Sequence, residues 1–391
     1  MPVPRSPVPR IHVWIPDYQS SHGGIQTFSR FFVQGLTDCL PGAQIQVLSK
    51  NDDSYPISKG VVRSHLFRCA GWWPMPYRTL FYAGQLASEA MFHRPDLILT
   101  THANFCSLAR VFQSIANIPY GVVAHGIEVW HAKSASLRRG LRGANRILAV
   151  SQFTRGRMLD ELQLAPEKVG LLPNTFLSDQ FATAPKPRYL LRRYGLTSDQ
   201  PVILTVARLA GAERYKGYDQ ILHSLVKLRQ SLPRVRYVLG GRGHDRARIE
   251  RLARELGVAE HLIMAGFIPD HELEDHYNLC DVFAMPSKGE GFGIVFLEAM
   301  ACGKPVLAGN KDGSVDPVLN GQLGVLVDPD DVPAIARELE LILTRRHPLA
   351  ILQQPEELRR RVIAAYGYPR FVTLLAGQLR ELGLAPAASA S

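Results

Sequence analysis

The feature that most constrains the fold is a twice-repeated alternation of short apolar runs with helical segments. In the first half, residues 11–16, 45–48, 97–100, 120–124 and 146–150 read as short strands, and in the second half residues 202–206, 235–239, 262–265 and 282–285 do the same, with helices expected over 218–232 and 245–256. Runs that are apolar throughout, rather than at every second position, belong to a sheet covered on both faces, which in practice is parallel and wrapped by helices. A length of 391 residues exceeds what one hydrophobic core usually supports. A polar, proline-containing stretch near 185–187 separates the two series. The expected architecture is therefore α/β, with two doubly wound domains over 1–184 and 185–365. Ligands of such sheets bind at the carboxyl ends of the strands, so a cleft between the domains is the expected site.

The residues at those strand ends are glycine or polar almost throughout. Gly23 and Gly24 lie between the first strand and a helix with apolar positions Phe28, Phe31, Phe32 and Leu36, which is half of a nucleotide-binding unit, although the spacing is not G-x-G-x-x-G. His125-Gly126-Ile127-Glu128 follows the fourth strand, and Ser151-Gln152-Phe153-Thr154 the fifth. In the second half Arg208 follows a strand and Lys216-Gly217 stands just before a helix. Gly240-Gly241-Arg242-Gly243 ends the next strand and Gly266-Phe267-Ile268 the one after. His125 beside a glycine is also readable as a core histidine with its hydrogen bonds satisfied.

The most informative stretch runs over 285–305, MPSKGEGFGIVFLEAMACGKP. Glu290-Gly291-Phe292-Gly293 forms a loop, and a helix beginning at or just after Gly293 carries Ile294, Val295 and Glu298. The first amides of a helix lack intrahelical partners and the macrodipole adds about half a positive charge there, so this end suits a phosphate. Glu290 lies in front of the helix and Glu298 within it, so two carboxylates flank the anion position. A ligand carrying both hydroxyls and phosphate would satisfy the three together. The plainer reading is an amphipathic helix with solvated glutamates.

Composition excludes several classes. Hydrophobic residues make up 46% and charged residues 20%, as in ordinary globular proteins. Cys39, Cys69, Cys106, Cys280 and Cys302 show no paired spacing, which argues against a zinc site and for a reducing, cytoplasmic setting. The opening MPVPRSPVPR has no apolar core of the kind a secretory signal needs. No run of about 18 apolar residues exists to span a membrane. The formal charge of +10 is concentrated before residue 180, where 18 Lys+Arg face 11 Asp+Glu. That excess, together with Arg63-Ser64-His65-Leu66-Phe67-Arg68 and the aromatic-basic run Trp72-Trp73-Pro74-Met75-Pro76-Tyr77-Arg78, suggests peripheral contact with an anionic membrane surface, or an acceptor pocket lined by aromatics. Nucleic acid is not an expected partner, because no base-stacking aromatics are interleaved with Arg138, Arg139, Arg142, Arg146, Arg155 and Arg157, which read as a solvated face.

With these motifs in hand, the chain resembles the retaining glycosyltransferases of family 4, of the bacterial polysaccharide-assembly type. They have the GT-B fold of two facing Rossmann-like domains. The most specific element is E-G-F-G-x-x-x-x-E-A, here Glu290 to Ala299, continued through Ala301-Cys302-Gly303-Lys304-Pro305-Val306. The resemblance implies that Arg208 and Lys216 pair with the diphosphate of a nucleotide-sugar and that Glu298 accepts hydrogen bonds from the ribose. It gives Glu290, His125 and the backbone at Phe292 and Gly293 to the sugar, Gly266, Phe267 and Ile268 to the base, and Gly23 and Gly24 to the phosphates. Gly241, Ile294 and Val295 fall among the donor-binding positions. The segment from about 366 to 391 resembles the family's final helix, which crosses back onto the first domain. The implied reaction moves a hexose, of GDP-mannose or UDP-glucose type, to a saccharide or lipid-linked acceptor without cofactor or metal.

Two departures from the family pattern stand out. The AGAERY insert between Arg208 and Lys216 is longer than usual, so it must fold back for both cations to reach one diphosphate. Gly309-Asn310-Lys311-Asp312-Gly313-Ser314-Val315-Asp316 replaces the more common Gly-Gly and Glu, which leaves the donor sugar open. His271-Glu272 with His276 lacks the spacing of a zinc site, and Asp328-Pro329-Asp330-Asp331 reads as a turn rather than a metal-binding D-x-D. The alternatives are a phosphorylase or epimerase on the same fold, or a catalytically silent nucleotide-sugar-binding protein. A silent protein would typically have lost Arg208, Lys216 or Glu290, and all three are present.

Overall fold

The protein, seen in a computed structural model, is described over residues 8–18, 23–53, 66–132 and 134–385. The chain divides into two units, Met1–Thr175 with Tyr368–Ser391, and Phe176–Gly367. The first contains a sheet of β1 (Arg10–Ile15), β2 (Gln44–Ser49), β3 (Leu66–Cys69), β4 (Leu97–Thr100), β5 (Tyr120–Ala124), β6 (Arg146–Ala149) and β7 (Val169–Leu171), in the order β3-β2-β1-β4-β5-β6-β7 with every adjacent pair parallel. The second contains β8 (Val202–Val206), β9 (Arg236–Gly240), β10 (Leu262–Gly266), β11 (Val282–Met285), β12 (Val306–Gly309) and β13 (Val325–Val327), ordered β10-β9-β8-β11-β12-β13 and likewise parallel. Both are Rossmann-like α/β domains.

The central strands are buried along nearly their whole length because helices cover both faces. Ile11, Val13, Trp14 and Ile15 of β1 and Val202, Ile203 and Leu204 of β8 have no solvent exposure. In each sheet the strand order reverses between two neighbours, β1 and β4 in the first unit and β8 and β11 in the second. Connections leave such a pair in opposite directions, which opens a crevice at the carboxyl ends.

The polar stretch at 185–187 is not a linker. It lies inside the second unit, where Lys186 pairs with Asp281 at 2.6 Å and Pro187 precedes the helix Arg188–Tyr194. The chain changes unit earlier, between Thr175 and Phe176, and returns between Gly367 and Tyr368. The helix Tyr368–Glu381 then packs on the first unit's helix Gly24–Cys39. A Cβ at Gly35 would come within 2.9 Å of Leu375, Phe371 sets its ring edge on Phe28, and the Tyr368 hydroxyl donates to Asp38 at 2.5 Å.

The basic series of the first unit is not a merely solvated face. Arg138 donates to the Ala132 carbonyl, Arg155 to Val169 O and Arg146 to Gln378, while Arg157 pairs with Glu161. Arg63, Ser64 and His65 lie outside the described residues. Phe67, expected at a surface, is buried beside Tyr18 in β3, and Arg68 is paired with Glu89 at 3.0 Å.

Candidate functional site

In the second unit the two strands at the reversal carry the charged groups. The turn after β8 holds Arg208, and a 3-10 turn, Gly211–Lys216, brings the chain back to Lys216. The loop after β11 carries Glu290. Lys216 Nζ bonds Glu290 Oε1 and lies 3.8 Å from Glu213 Oε2, while Arg208 Nη2 bonds Glu213 Oε1 at 2.7 Å. The longer loop does fold back, and Glu213, the single acidic residue between the two cations, ties them together. Burial pulls the Lys216 ammonium down, but Glu290, Tyr215 and Glu213 together outweigh it and hold the pKa above the ordinary lysine value. Gly217 makes this approach possible: its φ is +83°, and a Cβ there would collide with the Pro286 carbonyl at the end of β11.

The predicted helix is present as Ile294–Ala301, with Gly293 as its N-cap at φ +93° and no capping side chain. Its amino end follows the Glu290 loop directly, so amides and Lys216 converge on one neighbourhood. The Phe292 side chain is core, edge-on to Tyr366 at 5.4 Å, and Ile294 is also buried, so these two positions offer only backbone to a ligand. Glu298 accepts a 2.6 Å hydrogen bond from Tyr277, which is fully buried. Enclosure of the Glu298 carboxyl, only partly offset by that bond, raises its pKa to about 7.

Three further residues complete the site and were not assigned from sequence. Glu213 and Tyr277 are two. The third is Asp312, in the stretch that departs from the family spelling. Its carboxylate, without solvent exposure, accepts from Ser287 Oγ at 2.7 Å, Glu290 N at 2.6 Å and Ser314 N at 2.9 Å. Gly313 N–H reaches the Glu290 carbonyl at 2.8 Å. The substituted loop thus fixes the backbone of Glu290. Only the unusual spelling at 310–316 could have pointed to it.

At the carboxyl end of β9, the Arg242 guanidinium lies 4.4 Å over the Phe267 ring, and Phe267 is exposed beyond β10. Ile268 is buried beside Gly240, Gly241 follows β9 and Gly266 closes β10. Together they form a flat aromatic-cationic edge with apolar support.

In the first unit, Gly23 caps the helix Gly24–Cys39, whose Phe28 is set edge-on to His125 at 5.0 Å. His125 Nε2 lies 2.8 Å from the Thr101 carbonyl at the end of β4. A carbonyl only accepts, so Nε2 carries the proton and Nδ1 is the acceptor of the neutral ring. Burial lowers the His125 pKa to about 4, which keeps that tautomer uncharged near neutrality. Ser151, by contrast, is a helix cap, accepting from Thr154 N at 3.0 Å.

The two stretches with metal-like spelling have structural partners. Glu272 pairs with Arg193, His276 bonds Tyr194, Asp328 and Asp330 pair with Lys311, and Asp331 caps the helix Val332–Leu343. Among the described residues no group of three or more His, Cys, Asp or Glu is placed to hold a metal ion.

Comparison with known proteins adds to this geometry. Residues 190–365 match the family described as Glycosyl transferases group 1, and residues 22–176 match Glycosyltransferase Family 4. A D-inositol 3-phosphate glycosyltransferase of Xylanimonas cellulosilytica is 30% identical over 318 residues, covering 78% of this chain and 72% of that protein. A GDP-mannose-dependent alpha-(1-6)-phosphatidylinositol monomannoside mannosyltransferase of Mycolicibacterium smegmatis is 38% identical over 223 residues, covering 54% of this chain and 57% of its own length. Among solved structures, a sucrose-phosphate synthase from Thermosynechococcus elongatus superposes with a TM-score of 0.79 at 21% identity, over 96% of this chain and 99% of that one, which establishes the likeness of fold.

Proposed function

The chain belongs to the family 4 glycosyltransferases, and from that premise we propose that it moves mannose from GDP-mannose to a saccharide or lipid-linked acceptor with retention of anomeric configuration. The observation that carries the reading is the convergence of Arg208, Lys216 and the amino end of Ile294–Ala301 at the reversal point of the second sheet. Two cations and a helix terminus form an electrostatic clamp whose value is greatest when negative charge develops on a leaving diphosphate. Glu298 receives the ribose hydroxyls, and the Phe267–Arg242 edge receives the base. Glu290, fixed by Asp312, faces the sugar.

In the step proposed, the bond from the anomeric carbon to the diphosphate oxygen breaks, and the acceptor oxygen bonds to the same face of that carbon. The acceptor proton passes to the departing diphosphate. No nucleophile from the protein is needed, and neither is a metal, because the clamp supplies the positive charge. The GDP-mannose dependence named for the mannosyltransferase relative supports the choice of donor. The test is sugar release and transfer across UDP-, GDP-, ADP- and dTDP-sugars, with and without EDTA. GDP-mannose turnover that is insensitive to EDTA is expected. Preference for another donor overturns the sugar assignment, and loss of activity in EDTA restored by manganese overturns the clamp as sufficient.

An anionic lipid surface is the proposed partner of the first unit. The helix Arg78–Phe92 buries Tyr82, Leu86 and Ala90, and turns Leu80, Phe81, Met91 and Phe92 to solvent on the opposite face, which carries no charged side chain. Trp72, Trp73, Met75 and Tyr77 extend that exposed face, and Trp73 stacks on Phe81 at 3.5 Å. Apolar exposure of this extent on one helix fits an interfacial position, and the charge excess of the first half suits anionic headgroups. Arg78 itself is committed to the turn, donating to the carbonyls of Gly71 and Trp73. Wild type should sediment with phosphatidylglycerol vesicles at low salt and a Leu80→Glu, Phe92→Glu variant should not. Wild type remaining in the supernatant refutes the surface. Among the described residues no helix is long and apolar enough to cross a membrane.

A further inference from the structure

We propose that Glu213 is a built-in placeholder for the donor diphosphate, a positioning residue that faces both cations and sets how readily the nucleoside diphosphate leaves. The inference rests on the donor-site reading above. Arg208 and Lys216 are not waiting bare for a ligand. One Glu213 oxygen holds Arg208 at 2.7 Å, and the other lies 3.8 Å from Lys216 Nζ, buried and without a hydrogen bond. A carboxylate oxygen enclosed by protein, facing a cation beyond bonding distance, gains little from its position. Its value is to the cation pair, which would otherwise repel across the same gap.

Counting charges shows what binding requires. Arg208, Lys216, Glu213 and Glu290 together are neutral. A diphosphate that pairs with both cations adds two negative charges beside two carboxylates, so one carboxylate must withdraw. Glu290 is fixed, since Asp312 and Gly313 hold its backbone on both sides and its side chain bonds Lys216. Glu213 sits at the kink of the Gly211–Lys216 turn, and its stronger partner, Arg208, has a side chain 71% exposed. The Arg208–Glu213 pair is therefore the one that opens. Glu213 then stays close to the bound diphosphate as a like charge, which weakens both substrate and product and speeds product departure.

The experiment compares wild type with Glu213→Gln, using GDP and UDP as probes in calorimetry, together with the first and later turnovers of the donor. Removing one like charge near the diphosphate should tighten whichever probe wild type binds by about tenfold. Steady-state turnover should fall below the first turnover as release becomes limiting. Glu213→Asp, which retracts the carboxylate by one carbon, should tighten binding by less, and it decides the matter should the glutamine variant not fold. In an Arg208→Ala background the gain should be smaller, because no Arg208–Glu213 pair then has to open. Equal or weaker binding in Glu213→Gln overturns the proposal and makes Glu213 a plain organiser of the two cations. If wild type binds neither nucleotide, the donor-site reading fails first and the inference falls with it.

Discussion

Glu298 lets the donor site be tested by pH alone. Its carboxyl is raised to about 7 because burial outweighs the hydrogen bond from Tyr277. Ribose hydroxyls donate, so the donor should prefer the ionised form. Below pH 7 the competent fraction falls, and at pH 6 the apparent donor KM should stand about tenfold above its value at pH 8. The donor has no phosphate ionisation in this range, so a slope reports the protein. Because ribose contacts are made equally in ground and transition states, kcat should change little. Glu298→Gln should raise KM at pH 8 and flatten the slope, whereas Tyr277→Phe, which removes a bond to the ionised form, should move the midpoint to higher pH. The same group bears on stability: with its folded pKa raised, its contribution is full below the unfolded value of 4.5 and is lost as pH rises through about 7. Glu298→Gln should therefore raise Tm more at pH 8 than at pH 5. A donor KM that is flat between pH 6 and 8 in wild type, or equal slopes in wild type and Glu298→Gln, refutes the assignment.

The remaining expectations concern the groups around it. Lys216→Ala and Arg208→Ala should each lower turnover at least about a hundredfold, since each removes a cation from a developing anion, and near-normal rates in both would remove the diphosphate from this place. Glu290→Gln should chiefly lower kcat with donor KM nearly kept; the reverse pattern would exchange its role with that of Glu298. Asp312→Asn leaves one of three donors without its carboxylate acceptor and should destabilise the protein by about 1–3 kcal/mol in denaturant titration while lowering kcat, and an unchanged kcat would separate the loop from catalysis.

The strands that were legible in the sequence are those buried on both faces, where burial writes an unbroken apolar run. Residues 120–124, 202–206 and 282–285 were bounded without error. Four strands were left unread: β3 is an edge strand carrying Arg68, β7 is three residues around a glycine, β13 is a three-residue edge strand, and β12, though buried throughout, was absorbed into the run that continues the E-G-F-G motif. Arg208 stood out because a residue just past a parallel strand faces the ligand side, whereas Lys216 and Glu290, further along the loops after β8 and β11, stood out by the family resemblance. Glu213, Tyr277 and Asp312 did not, because their roles exist only through contacts between segments. Asp312 meets Glu290 across 22 residues of chain, and Tyr277 meets Glu298 across 21.

The return of the chain to its first unit has a consequence for synthesis. The whole of Phe176–Gly367 is synthesised before Tyr368–Glu381. Until then the face of Gly24–Cys39 that receives Phe371 and Leu375 is bare, and the first half carries exposed apolar surface while the second half folds. A chain ending at Gly367 and released from the ribosome should accordingly hold a protease-resistant second unit and a first unit that chaperones still bind.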